Sequence, residues 1–124
     1  MSLNIRLSDS RYTLICTYAG RVDDQQLDEA FAHIRDHAMK KHCSVIINMT
    51  DAIIPQHLSN KNITVAIELM QIPSLQHVVF VIPGTSEHPL SGWLRLFFEQ
   101  YNAGHKLHFA PDCAAAERIT KNHK

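Results

Sequence analysis

Two histidines, His33 and His37, sit four residues apart and could present their imidazoles from one side of a helix to a transition-metal ion. A structural site would need a third and a fourth donor, and Asp36 and His42 are the only local candidates. The chain has no HExxH run and no cysteine at zinc-finger spacing. His33 and His37 also border an apolar stripe, so the reading adopted is that of histidines at a surface or rim. His105 and His108 flank the start of a strand. Positions three apart in an extended chain face opposite sides, so these two should not converge on one ion. No metal and no cofactor are expected.

Nucleophilic chemistry is no better served. There is no Gly-x-Ser-x-Gly elbow, and Cys16, Cys43 and Cys113 lack an electropositive context with an obvious base. His42 precedes Cys43, but adjacent residues on a strand point apart. Their wide spacing and odd number read as reduced thiols, most simply buried ones. Four scattered glycines do not make a phosphate-cradling loop. Asp51, at the carboxyl end of a predicted central strand, is the one acidic residue where α/β sheets place function. With His57 or His88 it could form an acid–base pair, given side chains within hydrogen-bond reach. A carboxylate that stabilises its own loop is the simpler account.

Composition narrows the partners. Across 124 residues, 12 Lys plus Arg balance 12 Asp plus Glu, so the formal net charge is zero. Nothing in that balance draws the chain to nucleic acid or an acidic membrane. The nine histidines would make it cationic below about pH 6. A hydrophobic content of 45% with 19% charge is ordinary for a globular protein. No apolar run approaches the ~18 residues that span a bilayer, and the N-terminus shows no signal-type apolar segment. The expectation is one domain over residues 1–124, cytoplasmic, with no membrane span.

The elements that must position these residues follow from hydrophobic period. Leu3, Ile5 and Leu7 alternate with polar residues, Ser8-Asp9-Ser10 reads as a turn, and Tyr12, Leu14, Cys16 and Tyr18 share one face of a second strand. Gly20 ends that pattern. Asp23 or Asp24 can cap a helix to about Lys41 whose stripe is Leu27, Ala30, Phe31, Ile34 and Ala38. Val45-Ile46-Ile47 predicts a strand covered on both faces, followed by a loop from Asn48 to Ser59. Ser59 or Asn60 can cap a second helix, stopped by Pro73. His77 to Ile82 is another covered strand, and Pro89 suits the first turn of a third helix running to about Asn102, with Gly104 placed to end it. Leu107 to Ala110 is a last strand, and Asp112 can cap a short closing helix through Ala114, Ala115, Ala116 and Ile119. The alternation predicts an α/β architecture with a mixed, mostly parallel sheet of about five strands and four helices.

This order, with Ser44-Val45-Ile46-Ile47-Asn48-Met49-Thr50-Asp51 and the segment His77 to Ile119, resembles the STAS family of anti-sigma-factor antagonists, more closely its SpoIIAA-like (STAS/Sec14-like) branch. Within that segment the similar stretches are His77-Val78-Val79-Phe80-Val81-Ile82-Pro83, Leu94 to Tyr101, Leu107-His108-Phe109 and Ala114 to Ile119. The resemblance covers nearly the whole chain and rests on pattern, not on an invariant motif. It implies helices packed on a mixed sheet and a role in protein recognition or apolar-ligand binding. Anti-sigma antagonists carry a regulatory serine after an aspartate, at the start of the helix that follows the third strand. Here that loop reads Pro55-Gln56-His57-Leu58-Ser59-Asn60, with no Asp-Ser pair. Ser59 is the nearest hydroxyl; a helix N-terminus would stabilise a phosphate on it, and a plain helix cap explains it equally well.

The third helix holds the remaining signal. Leu90, Leu94, Phe97 and Tyr101 form a core stripe, leaving Trp93, Leu96 and Phe98 on flanking lines. Such excess apolar surface wants a second cover: another subunit, a protein partner, an apolar ligand, or the chain's own loop at Pro83 to His88. The reading is a non-enzymatic binding or regulatory module, a homodimer through the third helix. Its partner would dock on Trp93, Leu96 and Phe98 or on a loop holding Thr50, Asp51, His57 and Ser59. A small apolar-ligand or lipid binder and an enzyme built on Asp51 are the rivals.

Overall fold

In the computed structural model, which describes residues 2–8, 13–53, 56, 58–82 and 88–121, the short alternating runs and the apolar triplets become one sheet. The elements are β1 (Ser2–Leu7), β2 (Thr13–Arg21), α1 (Asp24–Lys40), β3 (Cys43–Ile53), α2 (Asn60–Met70) and β4 (Leu75–Val81). They are followed by α3 (Pro89–Gln100), a 3-10 turn (Gly104–Lys106), β5 (Leu107–Ala110) and α4 (Cys113–Lys121). The strand order is β1-β2-β3-β4-β5. β1 pairs antiparallel with β2, and β2 through β5 are mutually parallel. This is the mixed, mostly parallel five-stranded sheet with four helices that the sequence predicts.

Two cores result because side chains alternate across each strand. Leu14, Cys16 and Tyr18 of β2, Val45 and Ile47 of β3 and Val78 and Phe80 of β4 pack with α1, α2 and α3. Ile15, Ile46, Val79, Val81 and Ala110 point the other way, into a smaller cluster with Ala116 of α4. A strand covered on both faces has no polar face to show, hence the unbroken Val45-Ile46-Ile47 run.

The helices are bounded by local chemistry. Asp23 accepts from Gln26 N at 2.8 Å to start α1, whose five stripe residues are all buried. Ser59 caps α2, and Asp112 accepts from Ala115 N at 2.8 Å at the start of α4. α2 has no basic residue in its last turn. The cation that its carbonyl end favours comes from elsewhere: buried Lys106 donates from Nζ to the carbonyls of Met70 and Ile72, both at 2.9 Å. Burial holds its pKa below the usual lysine value.

Three boundaries differ from the sequence reading. β2 runs through Gly20, at φ 76, to Arg21, and β3 runs on to Ile53, so Thr50 and Asp51 lie on a strand and not in a loop. The cause is mutual: Ala19, Gly20 and Arg21 pair with Asp51, Ala52 and Ile53, and the last two pairs extend both strands beyond the described pairings of β1 and β4. After α3, Asn102 adopts the left-handed conformation (φ 58), while Gly104 opens the 3-10 turn. Asparagine is the side chain that best tolerates that geometry after glycine. Asp9, Ser10 and Tyr12 of the first hairpin lie outside the described residues; across it, Ser8 N donates to Thr13 O at 2.8 Å.

Candidate functional site

At the carboxyl ends of the parallel strands, Asn48 turns its side chain onto its own strand, with Oδ1 accepting from Thr50 N at 3.1 Å and from Thr50 Oγ1 at 2.6 Å. Beyond it Asp51 and Ile53 are exposed on the projecting β2–β3 ribbon. Ser59 stands at the start of α2. Its Oγ accepts from Asn62 N at 3.3 Å and donates to Asn62 Oδ1 at 3.0 Å. Asn62, 0% exposed, donates in turn to Asp24 O at 3.0 Å and Asp28 Oδ1 at 2.7 Å, which locks the N-terminus of α2 to that of α1. The structure thus brings Ser59 together with Asn62 and the acidic first turns of α1. Asn62 was not legible in the sequence as more than a polar residue inside a helix.

The acid–base reading gains nothing from this arrangement. His88 spends Nδ1 on its own helix, accepting from Leu90 N at 3.1 Å. Its counterpart His57 lies outside the described residues. Cys16 and Cys43 are buried, and desolvation pushes their thiols up to about 12 and about 11, away from the thiolate a nucleophile needs.

On α3 one assignment changes. Phe98 is 5% exposed and belongs to the core with Leu90, Leu94 and Phe97, so it offers nothing to a partner. At 100° per residue it lies only about 40° round the helix from Leu94, well inside the arc that α3 buries. Trp93 is half-buried and stacks on Phe97 with ring centroids 4.9 Å apart. Leu96 is 71% exposed.

Two hollows bear on ligand binding. Within the larger core, between Phe31, Leu69, Phe80, Leu94 and Phe98, an apolar cavity of about 30 Å³ is an order of magnitude below the roughly 300–1,000 Å³ of small-molecule sites. A second hollow of about 370 Å³ lies open beside α3 and β5. Arg95, Glu99 and His108 line it, and the Arg95 guanidinium sits 5.0 Å above the Phe109 ring, a lining suited to polar molecules and not to an acyl chain.

No protein-family model matches the chain, and no curated protein matches it. Solved structures do. The anti-sigma factor antagonist SpoIIAA in its unphosphorylated form superposes with a TM-score of 0.61 at 14% identity, covering 95% of this chain and 97% of that one. The Bacillus cell-fate determinant SpoIIAA in its phosphorylated form gives a TM-score of 0.57 at 14% identity, covering 95% and 99%. The chain has a STAS/SpoIIAA-like fold. None of its described helices is long and apolar enough to cross a membrane.

This SpoIIAA-like sheet also holds a histidine pair that sequence spacing could not reveal. His77 on β4 and His108 on β5 meet Nδ1 to Nε2 at 2.8 Å, with ring centroids 4.7 Å apart. They are 31 residues apart and become neighbours only through the parallel β4–β5 register, in which Val79 pairs with His108. His33 is exposed, and His37 is half-buried with Nε2 unpartnered. Among the described residues no three His, Cys, Asp or Glu side chains cluster as metal ligands do.

Two histidines held below their ordinary pKa, His108 and His37, make stability depend on pH. One proton between the two facing ring nitrogens of His77 and His108 gives a hydrogen bond, whereas full protonation of both rings sets two N–H donors and two cations against each other. Desolvation lowers the pKa of His108 from 6.5, and burial with the charges of Lys41 and Lys40 lowers that of His37. With folded values below the unfolded value of 6.5, the unfolded chain binds more protons as the solution is acidified. The associated stability is therefore complete above pH 6.5 and lost as pH falls below it. The urea midpoint is expected to drop between pH 7.5 and pH 5.5, by less in His108→Leu, with a remaining slope that His37→Asn reduces. An unchanged slope in His108→Leu would assign the effect to other groups.

Proposed function

We propose that the chain is a regulatory protein-binding module of SpoIIAA-like type, whose work is recognition and not turnover, and that it self-associates through α3. The observation that carries this reading is the end-to-end likeness to SpoIIAA, an anti-sigma factor antagonist seen in unphosphorylated and phosphorylated forms. By that likeness the partner is a protein of the anti-sigma factor class.

The docking end is the one formed by Thr50, Asp51 and Ile53 on the β2–β3 ribbon together with Ser59 at the N-terminus of α2. Its side chains mix an exposed carboxylate, a hydroxyl and an exposed isoleucine, as an interface of ordinary polarity does. Ser59 is the regulatory hydroxyl in this reading. A phosphate there would gain the helix N-terminus but lose the donation to Asn62 Oδ1 and approach the Asp28 carboxylate, so modification would disturb the α1–α2 lock.

Site-specific photo-crosslinking in the native cell tests the reading. A photoreactive residue at Ile53, 69% exposed, is expected to give a discrete protein adduct. The same probe at Met39 on α1, 72% exposed, serves as the control and gives none. Indistinguishable adduct patterns at the two positions would remove the ribbon as a docking end.

A further inference from the structure

We infer that the second copy docks antiparallel on the outward stripe of α3, with Leu96 of each copy seated over Gly92 of the other; this rests on the self-association proposed above. The stripe consists of Pro89, Gly92, Leu96 and Glu99, all exposed. Their spacing of three, four and three residues reads the same in both directions, so a twofold axis between Gly92 and Leu96 superposes the stripe on its own reverse. Pro89 then faces Glu99 of the other copy, and Gly92 faces Leu96.

Gly92, Leu96 and Glu99 are poor choices for a helix exposed to water and good ones for this contact. Gly92 lies inside a helix, where glycine in place of alanine shifts the folding equilibrium unfavourably by roughly fivefold. A Cβ there would meet nothing within 4 Å, so crowding inside the subunit does not require glycine. The absent side chain leaves a notch one turn from Leu96, an apolar knob 71% exposed. Glu99 sits near the carbonyl end of its own helix, the wrong end for an anion, while α3 carries no acidic residue in its first turn. In the antiparallel pair each Glu99 reaches the partner's helix N-terminus, whose own first turn holds no carboxylate. Half-buried Trp93 borders the contact. A helix of 12 residues is only about 18 Å long, so the contact is smaller than the roughly 1,600 Å² of a standard interface and the dimer is weak and concentration-dependent.

Sedimentation velocity from micromolar to millimolar protein, run beside urea unfolding, tests this with opposed signs. Wild type is expected to show a reversible monomer–dimer equilibrium. Gly92→Ala fills the notch: the isolated subunit gains stability, with a folded-to-unfolded ratio up roughly fivefold, while its dimer weakens by roughly tenfold or more. Leu96→Glu is expected to stay monomeric with an unchanged unfolding midpoint. Wild type that remains monomeric throughout overturns both this contact and self-association, without touching the partner reading probed at Ile53. A wild-type dimer that Gly92→Ala and Leu96→Glu leave equally tight overturns the stripe alone.

Discussion

Leu94→Ala is expected to cost about 3–5 kcal/mol of folding stability, while Leu96→Ala, two residues along the same helix, stays within about 0.5 kcal/mol of wild type. Leu94 is fully buried and already borders the core cavity of about 30 Å³, so truncation merges the vacated volume with an existing void that its neighbours have not closed. Leu96 points to solvent and loses little by truncation. A loss of several kcal/mol is a large share of the ~5–15 kcal/mol that holds a domain together, so the contrast is readable in urea midpoints at low concentration. Similar losses at both positions would mean that Leu96 is covered within one subunit, contrary to its exposure here.

Asn62→Leu comes next, at about 2–4 kcal/mol. Leucine matches the volume but supplies neither the donor to Asp24 O and Asp28 Oδ1 nor the acceptor for the Ser59 hydroxyl, and a buried polar group deprived of its partner costs about 1–3 kcal/mol. Ser59→Ala alone is expected to cost about 1 kcal/mol, as loss of an N-cap does. Because both side chains belong to one network, the double variant should lose less than the sum of the two. Strict additivity in equilibrium unfolding would show that Ser59 caps α2 without help from Asn62.

Much of this architecture is written in local pattern. Leu27, Ala30, Phe31, Ile34 and Ala38 mark the buried line of α1, and Asp23 and Ser59 mark helix starts, because period and capping act within a few residues. What local pattern misses depends on distant chain. The polar alternation Asn48, Thr50, Asp51 reads as a loop, yet pairing with Ala19, Gly20 and Arg21 keeps it extended. Phe98 falls off the line through Leu90, Leu94, Phe97 and Tyr101, but α3 buries a wider arc that takes in Ser91 and Phe98 as well.

The candidate site divides in the same way. Ser59 and Leu96 are visible as cap and surplus apolar residue from spacing alone. Lys106, 36 residues from Met70, and His77, 31 residues from His108, find their partners only after the strands have chosen neighbours. No spacing rule within one helix or strand could have paired them.

The strands lie side by side in the order in which they are synthesised. Each newly made strand can therefore dock on the edge left by its predecessor, and no later segment has to be threaded between two earlier ones. Loop-closure entropy is then met in small instalments, and relative contact order stays modest for a mainly parallel sheet. A polypeptide arranged like this can accrete its layers from the N-terminus while still on the ribosome. Of the described elements α4 emerges after every strand, and its arrival shields Ile15, Ile46, Val79 and Val81 on the far side of the sheet.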